Sequence, residues 1–365
     1  MRDISPIYRI TLTVMTLMAA MIISGCDEDG ASGATPDQPY TDFFTPLPEA
    51  AFYPADNPYS EAAETLGEFL FWDPILSGQM NVACASCHHP DFGWADGRAV
   101  SVGFDGMGLG QDRVGVALTD VHSPTVLNVA FTGIGQTEIA DGFVPGAYFW
   151  DLRAATLEDQ ALQPIESAVE MRGTAFTADQ ILPEIVSRLS LIPEYVQLFE
   201  DAYGPVDPIT PENIARALAT FQRGLVTQRT RFDDFLAGDE EALTDGEVFG
   251  LNKFINGGCA DCHAGPMLSD FTIHVDRPVI GGKEAVRTPG LRNVELTAPY
   301  MHDGSRTTLG SAISIYEDRG DLGVTLEEDD FGDIAAFLRT LTDDGFNRQV
   351  PVYVPSHLPV GGDIN

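Results

Sequence analysis

The sequence predicts a mainly α-helical protein in two halves, with long loops between its helices. Three observations lead there. Apolar residues recur at helical spacing behind cap signals, and convincing alternating strands are few. The third is that the pattern Cys-x-x-Cys-His occurs once in each half, at 84–88 and at 259–263. Thr210-Pro211 is a cap residue followed by proline at the first helical position, with Ile214, Leu218 and Phe221 in helical register behind it. Thr244-Asp245-Gly246-Glu247 reads as a capping box, and the helix it opens stops at Gly257-Gly258. Phe331, Ile334, Leu338 and Leu341 mark a late amphipathic helix. Gly204-Pro205-Val206-Asp207-Pro208 divides the halves. Residues 41–205 and 206–345 are therefore expected to form one domain each, with 346–365 a tail returning to the first. Beyond Cys-x-x-Cys-His no internal repeat is evident, and 102–115 is a Gly-rich loop.

Among the 365 residues 44% are hydrophobic, an ordinary share that excludes a disordered chain. The charge is not ordinary: 55 acidic residues against 20 basic ones give a net charge of −35. Such a surface repels nucleic acid and anionic lipid and attracts a basic protein or a cation; it also suits an adaptation to salt. At the N-terminus Arg2 and Arg9 precede an apolar run from Ile10 to Ile23, too short to span a bilayer and fit for the core of a signal peptide. The run ends in Ile23-Ser24-Gly25-Cys26, which resembles a bacterial lipobox; an ordinary signal peptide with a chance cysteine is the alternative. The expectation is a lipoprotein signal over 1–25, lipidation at Cys26 and a flexible tether over 26–40. The protein would then be periplasmic, touching the membrane only through its anchor.

The four cysteines other than Cys26 are Cys84, Cys87, Cys259 and Cys262, and a histidine follows each pair. This is the signature of covalent c-type haem attachment. Two thiols at that spacing reach the two vinyl groups of one porphyrin, and the next residue is carried under the iron, which makes His88 and His263 proximal ligands. A single zinc site of four cysteines competes, but zinc gives no reason for a histidine after both pairs. The doubled histidine of the first motif, His89, is expected to be a solvent or propionate-side neighbour.

Further motifs follow in order. They are Phe71-Trp72-Asp73-Pro74, Ala95-Asp96-Gly97, Ser123-Pro124-Thr125-Val126-Leu127-Asn128, Phe149-Trp150-Asp151-Leu152-Arg153 and Leu157-Glu158-Asp159-Gln160. Pro164, Glu170-Met171, Thr288-Pro289-Gly290-Leu291-Arg292-Asn293 and Ala298-Pro299-Tyr300-Met301-His302-Asp303-Gly304-Ser305 complete the set. In these the chain resembles the bacterial dihaem cytochrome c peroxidases and their MauG relatives, from about Asn57 to Leu341. The resemblance implies two cytochrome-c-like helical domains with two haem c groups, the first reacting with hydrogen peroxide and the second passing electrons to it. It also implies a bridging role for Trp150 and a distal pocket of Gln160, Pro164 and Glu170. Peroxide cleavage needs a group that takes a proton from the inner oxygen and returns it to the leaving one. Glu170 suits that task, with Gln160 as a hydrogen-bond donor to peroxide. Electrons would come from a small cytochrome c or a cupredoxin, or, in the MauG manner, from aromatic side chains of a protein substrate. A plain electron-transfer dihaem cytochrome is the reading from another class. Monomer and homodimer both stay open.

The chain departs from the family pattern in three places. The histidine that typically stands ten residues before the proline of Ser-Pro-Thr is replaced by Val114. The first haem is therefore expected to be open, with His122 or His89 as the only replacements in view. Where peroxidases carry a methionine ligand to the second haem, alignment on Leu309 puts Tyr316, as in MauG-type enzymes. A phenolate is a hard anionic donor that favours oxidised iron; Met267 and Met301 are the substitutes. Family members also hold calcium with an asparagine and main-chain oxygens near Thr297 and Pro299, but His122 stands at the asparagine position and is a poor ligand for a hard cation.

Overall fold

The computed structural model describes residues 39–134, 148–227, 229–274, 286–317 and 320–364. The signal segment, Cys26 and nearly all of the tether lie outside the described residues. Nine α-helices are found among the described residues: α1 (Glu61–Trp72), α2 (Leu157–Glu166), α3 (Ala178–Ser190), α4 (Pro193–Tyr203), α5 (Pro211–Gly224), α6 (Arg231–Leu236), α7 (Asp245–Asn256), α8 (Leu309–Ile313) and α9 (Asp330–Arg339). They form no sheet there; strand pairing is confined to isolated bridges such as Tyr148 with Ala154 and Tyr300 with Arg306. None of these helices is long and apolar enough to cross a membrane.

Local chemistry explains most helix starts. The hydroxyls of Thr156, Thr210 and Thr244 accept from the N–H groups of Asp159, Asn213 and Glu247, opening α2, α5 and α7. Glu247 returns the contact to the Thr244 N–H (2.8 Å), closing the capping box. The last helix ends at Arg339, so Leu341 lies past it, yet Leu341 is still buried in the same core as Ile334 and Leu338.

Two apolar cores result. The first gathers α1, α3, α4 and α5 around Leu66, Leu70, Phe71, Ile185, Phe199 and Phe221. The second gathers α7, α8 and α9 around Phe232, Leu251, Phe254, Phe337 and Leu338. α5 lies beyond the divide expected at residue 205, but it packs along α1 and α2 in the first core. The approach of α1 to α5 is so close that a Cβ on Gly67 would overlap the Ala217 carbonyl. The divide between the cores therefore falls after α5, because the Gly-Pro segment is only the link between α4 and α5. Glu158 on α2 and Arg223 on α5 form a buried ion pair (2.5 and 3.0 Å) that Asn57 extends (2.7 Å). The segment after Leu341 runs back to the first core. Asn347 accepts from the Trp94 indole (2.8 Å), Gly361 from the Ser86 hydroxyl (2.7 Å), and Ser356 donates to Asp73 (2.7 Å).

Candidate haem sites

Each Cys-x-x-Cys-His motif begins with a short 3-10 turn, Cys84–Ser86 and Cys259–Asp261, and each histidine N–H closes it on the first cysteine carbonyl (3.0 and 2.9 Å). Cys84 packs on the first core and Cys259 on the second, so the two pairs do not form one four-cysteine zinc site. Burial pushes the thiols of Cys84 and Cys259 up to about 12, and that of Cys87 higher still. They are free of disulfides.

Both histidines are prepared in the same way. The His88 Nδ1 faces the Trp94 carbonyl (3.3 Å) and the His263 Nδ1 faces the Leu268 carbonyl (2.9 Å). A carbonyl can only accept, so each Nδ1 carries the proton and each Nε2 presents its lone pair. Burial lowers both imidazoles, His88 to about 4, so they are neutral at physiological pH. The carbonyls of Pro124 and Pro289 also help to hold these rings. Both acceptor residues have positive φ, Trp94 at 60° and Leu268 at 49°, a conformation that costs a non-glycine residue free energy and persists here beside the motif.

This likeness reveals a repeat that reading the sequence missed. Ser123-Pro124 through Asn128 matches Thr288-Pro289 through Asn293, and both asparagines are left-handed caps of 3-10 turns. Tyr148 through Leu157 matches Tyr300 through Leu309, so Trp150 corresponds to His302 and Pro164 to Tyr316. The halves exchange contacts as the two sides of a dimer would. The His122 N–H donates to the His302 carbonyl (2.7 Å), and its counterpart, the Arg287 N–H, donates to the Trp150 carbonyl (2.9 Å). The Trp150 indole donates to the His122 carbonyl (2.8 Å), and its ring meets His302 edge to face at 6.4 Å. The signal was present in the aligned Pro, Asn, Tyr and Asp positions, but too few residues separate it from chance without the structure.

In the second half a cavity of about 290 Å³ brings together Cys259, Cys262, His263, Tyr316, Trp150 and Arg287. Its walls are apolar, with Phe254, Leu291, Leu309, Ile313 and Leu338 among them, as a porphyrin requires. Met301 shares the cavity, while Met267 packs with Phe131 and Phe271 in a separate cluster. Thr297 and Pro299 line the same cavity as His122. The His122 Nδ1 is engaged by the Arg98 carbonyl (2.8 Å), and the Thr297 hydroxyl by that of Val294 (3.2 Å). His122 lines this cavity and also lies close enough to His88 to act on it electrostatically.

Around the first motif, Gln160 and Pro164 lie one turn apart on α2, both half-buried. The Met171 N–H bonds the Pro164 carbonyl (3.2 Å), folding Glu170 back towards the motif. Burial raises the Glu170 carboxyl above its ordinary range, against the pull of Arg153 and Ser167. Its charge is felt at Cys87. Gly103 presses on this turn so closely that a Cβ would overlap the Val169 carbonyl. The loop of Gly103 is held by Arg113, buried, donating to the carbonyls of Val102 (2.9 Å), Gly108 (3.0 Å) and Gly103 (3.2 Å). Val114, next in sequence, is 66% exposed. His89 does not face solvent. It is buried, packs edge-on against Trp72 at 5.6 Å, and its Nδ1 accepts from the Asp91 N–H (3.2 Å), so it caps a turn.

Asp96 is buried, and neither carboxylate oxygen finds a hydrogen-bond partner among the described residues. Burial pushes it up to about 6, although Ser101, Arg98 and Arg113 pull it down. The folded protein thus favours its neutral form. Stability from this group is full below the ordinary carboxylate range and falls as pH rises through about 6, by on the order of 3 kcal/mol. Asp96→Asn should remove that fall in urea titrations below and above this pH; an unchanged pH dependence would refute the assignment.

The sequence model of the family described as "Di-haem cytochrome c peroxidase" matches residues 61–241. The chain is 32% identical to the methylamine utilization protein MauG of Methylorubrum extorquens, over 93% of this chain and 96% of that one. It is 33% identical to the cytochrome c551 peroxidase of Nitrosomonas europaea, over 80% and 83%. Among solved structures, a MauG-like protein associated with microbial copper homeostasis superposes with a TM-score of 0.66 at 27% identity, covering 87% of this chain and 98% of that one. At this identity and coverage the chain belongs to the di-haem cytochrome c peroxidase and MauG family, and its two Cys-x-x-Cys-His motifs suit two c-type haems.

Proposed function

We propose that the protein is a dihaem peroxidase that reduces hydrogen peroxide to water with electrons from a small periplasmic redox protein, a cytochrome c or a cupredoxin. The observation that carries this reading is Glu170, a half-buried carboxyl of raised pKa folded towards the first motif. An electron carrier needs no proton-holding group there. In this reading Cys84, Cys87, Cys259 and Cys262 bind two haem c groups, His88 and His263 are the proximal ligands, and Tyr316 is the second ligand in the second half. The bound haems supply the redox chemistry of peroxide reduction. Glu170 takes the proton from the inner peroxide oxygen and delivers it to the leaving one. Gln160 orients the peroxide by a hydrogen bond, and Pro164 shapes the same pocket without offering a ligand. Trp150, in contact with His302 and with the strand of chain that supports His88, is the aromatic group between the halves.

Two observations favour a second reading, MauG-like oxidation of aromatic residues of a partner protein: Tyr316 in the second cavity, and Val114 at the surface where peroxidases carry a histidine. Calcium near Thr297 and Pro299 would have to rely on main-chain oxygens there, since His122, at the asparagine position, is a poor ligand for a hard cation and its Nδ1 already bonds a carbonyl. Export to the periplasm with a lipid on Cys26 belongs to the same reading. Peroxide titration of the purified holoprotein is the test. A change in the first haem's absorption supports an enzyme, and none in either oxidation state leaves only a carrier. Turnover with a reduced cytochrome c then separates the peroxidase from the MauG-like reading.

A further inference from the structure

The second cavity contains a cation that the proposed mechanism does not use. Arg287 is the one Arg or Lys among the described residues that line it. Its N–H bonds the Trp150 carbonyl (2.9 Å) and its Nε bonds the Phe149 carbonyl (3.0 Å). Its guanidinium lies 5.6 Å from the Phe271 ring centre. Burial pulls it down to about 10, which still leaves it charged at neutral pH. No carboxylate forms an ion pair with it among the described residues, and its terminal nitrogens meet no protein acceptor there. A half-buried guanidinium lining an apolar cavity calls for a counter-charge, and its planar fork fits a carboxylate. Repeat symmetry sharpens the point, because the counterpart position in the first half is His122, a neutral group whose Nδ1 already bonds a carbonyl.

We propose that Arg287 is the carboxylate anchor of the second haem, clamping a propionate with its terminal nitrogens while its amide and Nε hold the backbone of Phe149 and Trp150. The inference rests on the reading of this cavity as a haem site. It makes Arg287 a positioning residue, which sets the second haem's place relative to Trp150 and adds a positive charge beside it. A nearby cation favours the reduced state, which carries one more electron.

The test is a spectroelectrochemical titration of the holoprotein and two variants. Arg287→Gln, which removes the charge, should shift the midpoint potential of the second haem downwards and leave that of the first nearly unmoved. Arg287→Lys keeps the charge and loses the Nε bond, so its potential should stay near that of the parent. An unshifted Arg287→Gln protein carrying both haems overturns the anchor, and so does an equal fall in both variants, which would report packing rather than charge. If Arg287→Gln does not fold, a large fall in Arg287→Lys alone overturns it. A parent protein that attaches no second haem would instead overturn the reading on which the anchor rests.

Discussion

Replacing Glu170 by Gln should lower the rate of reaction with hydrogen peroxide by about 10²- to 10⁴-fold while both haems remain attached. Gln keeps the shape and the hydrogen-bonding reach of the side chain but cannot carry a proton from one oxygen to another. The parent should show a rate that rises with pH through a value above the ordinary carboxylate range, because burial raises Glu170 and only the ionised form can accept the first proton. The variant should be flat across that interval. Stability runs the other way. A raised carboxyl pKa means that ionisation costs folding free energy as pH rises, so Glu170→Gln should not be less stable at neutral pH. A fall in rate therefore cannot be ascribed to unfolding. Stopped-flow mixing with peroxide reads the effect, and a variant as fast as the parent would remove Glu170 from the mechanism.

Replacing Tyr316 by Phe should change the absorption and paramagnetic resonance spectra of the second haem and raise its midpoint potential. Loss of a phenolate removes an anionic donor that favours oxidised iron. Axial ligation spans about 0.8 V across haem proteins, so a shift on the order of 0.1 V or more is expected. The first haem should be unaffected, since Tyr316 packs with the second core. Spectra identical to those of the parent would dismiss Tyr316 as a ligand and turn attention to Met301, which shares the cavity. Tyr316 corresponds to Pro164 in the repeat. One position thus bears a residue that can bind iron in one half and a residue with no donor in the other, which is how two similar folds come to do different work.

The parts legible from sequence were those whose physics is local. Thr244 and Glu247 form the expected capping box, and α5 opens at Thr210-Pro211, because caps join residues three positions apart. The two motifs behave alike for the same reason: the turn that places His88 and His263 is closed by their own N–H groups. The role of α5 was not legible. Gly204 to Pro208 resembles a domain link, but the apolar face of α5 is covered by α1 and α2, drawn from more than forty residues away. Of the two places expected for His89, the solvent one is excluded by burial, because Trp72 covers the ring.

By itself the sequence determined the chemistry available: four paired thiols, two histidines held by short turns, a carboxyl at Glu170 and a phenol at Tyr316. It also determined helix starts such as those of α5 and α7, through caps and apolar spacing. Only the tertiary structure decided which groups meet. It pairs Trp150 with His302, puts Arg287 without a carboxylate partner among the described residues into the second cavity, and sets Gly103 against the turn of Glu170. Those contacts join segments far apart in the chain. They depend on how two apolar cores dock, and no short-range pattern of residues encodes that.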